Sequence, residues 1–368
     1  MLNEGNLSGA RFVILPHGRE AIMSEGDSIR YWSTNAAAVS SELPHSREPI
    51  YEDGDDRSGY YRDMLCVSPD GERVASGGYS GFVERRMSDG KVLFDSGSML
   101  EGISDIQYSK DGALLLMSGY GSVSVWDTVR KRMIRTMSNH LSLFDAAFDG
   151  SGAFVVTASA DEAALDLWET GTGRLVRSYL FADLPRKADD ENGFSMVRFS
   201  HDNKNIFAAQ TSQQRVLVWN INGRDTANDV QVGELSTYIV GHDDGSLIVG
   251  YKNGDISVWS LQDRKAVKTI HTGRGPIVSL SESREGDKLV VSGGKYFQLV
   301  DMVGGKVVAT FFVADNHGVA YTPKGLFVTD GDPRKAFKIM LDGDELPVDD
   351  FIRLNRRTDL DEAVKSSH

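Results

Sequence analysis

Cysteine occurs once in 368 residues, at Cys66, which excludes an internal disulfide and fits a reducing compartment. It lies in the apolar run Met64-Leu65-Cys66-Val67 just ahead of a turn, and so reads as core packing rather than as a reactive thiol. No uninterrupted apolar run approaches the ~18 residues of a membrane-spanning helix. The opening MLNEGNLSGARF lacks a basic segment followed by an apolar one, so neither an anchor nor a signal peptide is expected, and the expected compartment is the cytoplasm. Basic residues are outnumbered, 40 against 53 acids, for a net charge of −13. Such a chain repels phosphate, and its basic clusters stop at triples such as Arg130-Lys131-Arg132, so neither nucleic acid nor a membrane is expected as a partner.

Reactive chemistry is just as sparse. The eight histidines are scattered, and no pair has the spacing of a zinc site. The acidic groups around Asp53 to Asp56 and Asp342 to Glu345 lack the ligand spacing of a calcium loop. Nucleophile elbows, Walker loops and dinucleotide fingerprints are missing. No catalytic residue, metal or cofactor is expected.

Glycine, by contrast, is plentiful, with 38 residues, and it recurs in a turn. The turn ends at Gly18, Gly71, Gly112, Gly152, Asn203, Gly245, Gly286 and Gly325, at spacings of 39 to 53 residues. Glycine or asparagine suits a position that needs positive φ, and the Pro or Asp before it presets the bend. A second landmark follows 14 to 16 residues later, at Trp32, Arg86, Trp126, Trp168, Trp219, Trp259, Val300 and Met340. All five tryptophans occupy this slot, each closing a β-like run such as Val123-Ser124-Val125-Trp126. Arg86, where the others are mostly aromatic, suggests an irregular second unit.

Each unit therefore reads strand, tight turn, strand, loop, strand with Trp, weaker strand. From about Ala10 to about Ile352 this resembles the WD-repeat family, whose repeats of about 40–45 residues each form a four-stranded blade. The resemblance implies an all-β chain: a single closed β-propeller of four-stranded antiparallel blades over residues 1–352. Eight blades are expected, with seven as the alternative, followed by a tail at 353–368 with a short helix. The family's structural hydrogen-bond tetrad maps onto one unit, as His140, Thr157, Asp161 and Trp168.

Two connections between units are longer than the rest. One, residues 41–61, holds Tyr51, Glu52, Asp53, Asp55, Asp56, Tyr60 and Tyr61; the other, 181–194, holds Arg186, Lys187, Asp189, Asp190 and Glu191. Both follow the fourth strand of a unit, and insertions on one face of a repeat array often mark its binding face. Tyrosines interleaved with charge also suit an interface. The expected function is a scaffold, monomeric on its own, that binds a protein partner through that face. The alternatives are a propeller enzyme of hydrolase or lactonase type with a funnel site, and a regulatory or sensor subunit of a separately encoded bacterial effector. The latter comes from the tail, where Phe351, Asn355, Arg356, Asp359 and Leu360 resemble a motif ending bacterial propellers that accompany caspase-like peptidases. Thr358 and Asp361 there suggest a capping box that starts a short helix through Val364.

Overall fold

Serine and aspartate, more than glycine alone, build the recurrent turn. In a computed structural model of the chain, the Ser109 hydroxyl donates to Asp111 (2.6 Å) and accepts the Leu114 N–H (2.9 Å). Ser200 repeats this with Asp202 (2.7 Å) and Asn205 (2.9 Å), and Ser283 with Asp287 (2.9 Å) and Lys288 (3.0 Å). These bonds close the turn locally, so each hairpin needs little help from packing. One turn departs from the expectation: Asp244 (φ 54°), not Gly245, takes the left-handed position. Its carboxylate explains the choice. It accepts the N–H groups of His201 (2.6 Å) and Asp202 (2.9 Å) in the preceding turn, as the left-handed Asn203 accepts Gly150 N–H (2.6 Å) one turn earlier.

The structure describes residues 12–14, 20–25, 28–33 and 38–44 as backbone, most of 64–341, and then 344–346 and 349–357. Within the central stretch the description omits 79–80, 98–101, 120, 138–142, 160–163, 181–192, 224–227, 242, 284–285, 294–295, 315–316, 330–331 and 333–338. Residues 46–252 and 257–268 form one compact unit; residues 1–45, 253–256 and 269–368 form another.

Strands β1–β4 (Phe12–Ile14, Glu20–Glu25, Ser28–Ser33, Ala38–Pro44) make the first antiparallel sheet. Strands β5–β8 (Met64–Val67, Arg73–Gly78, Gly81–Arg86, Val92–Asp95) and β9–β12 (Ile103–Tyr108, Leu114–Gly119, Ser122–Asp127, Arg132–Met137) follow. Next come β13–β16 (Leu143–Phe148, Phe154–Ser159, Ala164–Glu169, Arg174–Leu180) and β17–β20 (Met196–Phe199, Asn205–Gln210, Arg215–Asn220, Asn228–Gln231). Strands β21–β24 (Leu235–Val240, Ser246–Tyr251, Asp255–Ser260, Lys265–His271) complete six four-stranded blades among the described residues. The described residues thus form a propeller with six such blades, neither the eight expected nor the alternative seven.

The reason lies in the last large sheet. Strands β25–β30 (Ser279–Glu282, Lys288–Ser292, Tyr296–Asp301, Lys306–Ala314, His317–Tyr321, Phe327–Thr329) share this one six-stranded sheet. Strand β28 runs for nine residues and is separated from β29 by positions 315–316 alone. A link that short returns antiparallel beside the same strand instead of crossing to a new blade. Strands β31 (Ile339–Leu341) and β32 (Asp344–Leu346) form a separate hairpin. Helix α1 (Asp349–Asn355) then lays Ile352 against the Tyr296, Phe312, Val319 and Phe327 cluster, and Arg357 N–H donates to Phe327 O (2.8 Å). The helix expected over 358–364 lies outside the described residues.

Register also moves one landmark. Trp126, Trp168 and Trp219 pair with Leu115, Val155 and Ile206, and the residue in the same place on β7 is Arg85, opposite Val74. Arg86, the expected slot residue, instead faces Arg73 beside the turn and is exposed. The partner strand shifts register beside Trp126 and Trp168, and it does so beside Arg85 as well. These three tryptophans pack backwards onto the preceding blade: Trp126 against Phe82 and Phe94, Trp168 against Val123 and Val125, Trp219 against Leu165, Leu167 and Tyr179. Trp126 and Trp219 are fully buried, whereas Trp259 is only partly so.

Candidate functional site

The first strand of each blade is a sheet edge, and β5, β9, β13, β17 and β21 lie next to one another. An edge strand leaves backbone groups unpaired, and these need partners from elsewhere. Side chains of the preceding blade supply them. Gln107 on β9 donates from Nε2 to Ala146 O (2.6 Å) and accepts Phe148 N–H (3.5 Å). Asp145 on β13 accepts Val197 N–H (2.9 Å) and Arg198 Nη1 (2.6 Å) on β17. Strand pairing puts Asp105 where Asp145 stands one blade later, opposite Ser118 and Ala158 respectively. This acidic pair and one arginine form a polar cluster on these edges. Burial raises the Asp145 carboxyl above its ordinary value; Arg198 works against that and Asp105 adds to it. Cys66 sits beside Asp105, and burial followed by that carboxylate pushes its thiol well up, which keeps it protonated.

A second cluster joins β5–β8 to β9–β12. Glu84, fully buried on β7, holds Arg73 Nη1 (3.2 Å), the Tyr108 hydroxyl (3.0 Å) and Lys131 Nζ, the last two from the neighbouring blade. Arg73 also donates to Gly112 O (2.9 Å) and lies over the Tyr108 ring. In the other unit, Arg274 rests over the rings of Tyr296 and Tyr321 and bonds the Tyr321 hydroxyl. All three clusters spend their charge on holding strands and turns in place. Among the described residues, no group of three or more His, Cys, Asp or Glu could hold a metal ion, and no helix is long and apolar enough to cross a membrane.

Of the tetrad expected from sequence, Trp168 Nε1 donates to Thr157 Oγ1 (3.0 Å) in the buried core; His140 and Asp161 lie outside the described residues. So do Tyr51, Glu52, Asp53, Asp55, Asp56, Tyr60, Tyr61, Arg186, Lys187, Asp189, Asp190 and Glu191. Sequence reasoning missed Glu84, Asp145 and Arg198. A signal was present: Asp145 and Arg198 are each the lone charge in an otherwise apolar strand, LFDAAF and MVRF, and Glu84 follows the apolar pair Phe82-Val83. Such a residue is rarely buried without a partner.

No family model matches the sequence. The chain is 22% identical to the COMPASS component SWD3 of Saccharomyces cerevisiae over 286 residues, 73% of this chain and 87% of that protein. It is 23% identical over 211 residues to eukaryotic translation initiation factor 3 subunit I of Culex quinquefasciatus, 52% of this chain and 62% of the relative. A ribosome biogenesis protein WDR12 homolog of Drosophila mojavensis is 30% identical over 183 residues, 44% of this chain and 41% of the relative. The chain thus spans less than two thirds of the latter two. These organisms are eukaryotes, so the bacterial origin suggested by the tail gains no support from them. In sequence and in blade construction, the chain is similar to WD-repeat proteins, and its fold is a β-propeller.

Proposed function

We propose that the protein is a non-catalytic scaffold that binds a protein partner through its two long connections, residues 41–61 and 181–194. The observation that carries this reading is the kind of protein it resembles: relatives whose names make them a component of one assembly and a subunit of another. The chemistry of the described clusters agrees, because Asp145, Arg198 and Glu84 are bonded across neighbouring blades. A partner surface built from loops also leaves the blades free to act as a rigid frame.

Replacing residues 46–61 and 181–192 each with a short Gly-containing turn, which keeps β4 and the fully buried Phe194 in place, tests the proposal. Long surface loops contribute little to stability, so the melting curve should hold. Affinity purification with mass spectrometry should then lose the partner that the parent chain captures. A variant that captures the same partner as the parent would refute the role of these connections. A propeller enzyme would instead keep turnover after loop replacement and lose it in Asp145→Asn or Arg198→Ala.

A further inference from the structure

We infer that the strand ends of β5–β8 and β9–β12 carrying the turns 86–91 and 127–132 form a second docking surface, fitted to an acidic, amphipathic segment of a partner protein. Two contacts set these turns side by side: Phe94 packs on Trp126, the rings tilted with centroids 4.3 Å apart, and Lys131 bonds Glu84. Local charge there is the reverse of the chain's. Residues 84–91 and 127–135 hold seven basic side chains against three acids, in a protein of net charge −13. The three acids are all engaged. Glu84 is buried, while Asp89 and Asp127 each pin one arginine, Arg86 at 2.9 Å and Arg130 at 2.8 Å. Arg86 and Arg130 stay exposed within these pairs, and Lys91 and Arg132 are exposed beside them.

Apolar surface lies among them. Val129 is 76% exposed and Val92 44% exposed in a fold that buries most of its large aliphatic side chains; Val303 (78%) is as exposed in another turn, but here the valines lie among the cations. Arginines and lysines flanking exposed valines match a segment that alternates carboxylates with apolar residues. A phosphate backbone would use the cations and leave the valines wet. The surface sits at the opposite strand ends from those that residues 181–194 join, because antiparallel order puts the first and third turns of a blade at one end and its other connections at the other.

Fluorescence anisotropy with a labelled peptide of repeated Glu-Glu-Leu triplets tests the inference. The parent chain should bind it, and Lys91→Glu with Arg132→Glu should weaken binding about tenfold or more, with an unchanged melting curve. Val129→Ser should weaken that peptide several-fold yet leave a Glu-Glu-Ser control unaffected. Failure of the parent to bind, or equal binding by the charge-reversed variant, overturns the inference, as does tighter binding of oligouridylate than of the peptide. The variant lacking both long connections should bind the peptide as the parent does, so failure of this surface and failure of the partner-binding loops are distinguishable.

Discussion

Replacing Thr157 with valine removes a single oxygen from the interior and nothing else of size. The Thr157 hydroxyl accepts the Trp168 indole N–H at 3.0 Å, with Thr157 1% and Trp168 7% exposed, so water cannot take over the bond. A buried donor left without a partner costs about 1–3 kcal/mol, and valine's extra methyl recovers part of that by burial, leaving a net loss of about 1–2 kcal/mol. The chain contains its own comparison. Trp126 and Trp219 occupy the same slot, but Met117 and Ala208 stand where Thr157 does, and both indole N–H groups are buried without a partner. Ala208→Ser should therefore stabilise by about 0.5–1 kcal/mol by giving the Trp219 indole an acceptor. Urea unfolding followed by tryptophan fluorescence measures both, with the slope of the transition unchanged. A loss below about 0.5 kcal/mol for Thr157→Val would mean that the bond adds nothing to the slot and that packing alone holds the indole.

Glu84→Ala should cost about 3–5 kcal/mol, because Arg73 and Lys131 would lose the buried carboxylate between them; chemical denaturation would show it, and a near-neutral result would place the two cations in water. Trp219→Ala, at a side chain with no exposed surface, should cost about 3–5 kcal/mol in the same assay. The Ser200 hydroxyl, followed by Lys204, lowers the Asp202 carboxyl from its ordinary 3.8 to about 2. Its folded-state value is depressed, so its contribution is present above pH 4 and fades as pH falls towards 2. Acid titration of Asp202→Asn should accordingly show a flatter decline across that window, and an unchanged decline would locate the acid sensitivity elsewhere.

Turn chemistry and the tryptophan slot are readable in the chain because both depend on local spacing. A Ser two residues before an Asp and a Gly closes a hairpin wherever it occurs, and Trp126, Trp168 and Trp219 fall at one register because each fills the same gap against the preceding blade. Blade number is not local. The eighth turn, ending at Gly325, is a genuine turn with φ 83°, but it joins β29 to β30 in a sheet that already has four strands. The length of β28 and the two positions after it decide that, and repeat counting does not see them. Arg85 lies one residue from the position that spacing assigns to the slot, because turn-to-slot distances vary whereas strand pairing does not. The bonds from Asp145 to Val197 N–H and from Gln107 to Ala146 O are hidden for a different reason: those partners are backbone groups on another blade, which no side-chain pattern announces.

Hydrogen–deuterium exchange of the protein, free and then saturated with the partner captured from its native host, tests the scaffold reading most directly. Amides of residues 41–61 and 181–194 should gain protection on binding, while those of β9, β13 and β17 around Asp105, Asp145 and Arg198 stay as they were. Protection confined to the inner strands, with both long connections unchanged, would contradict the account.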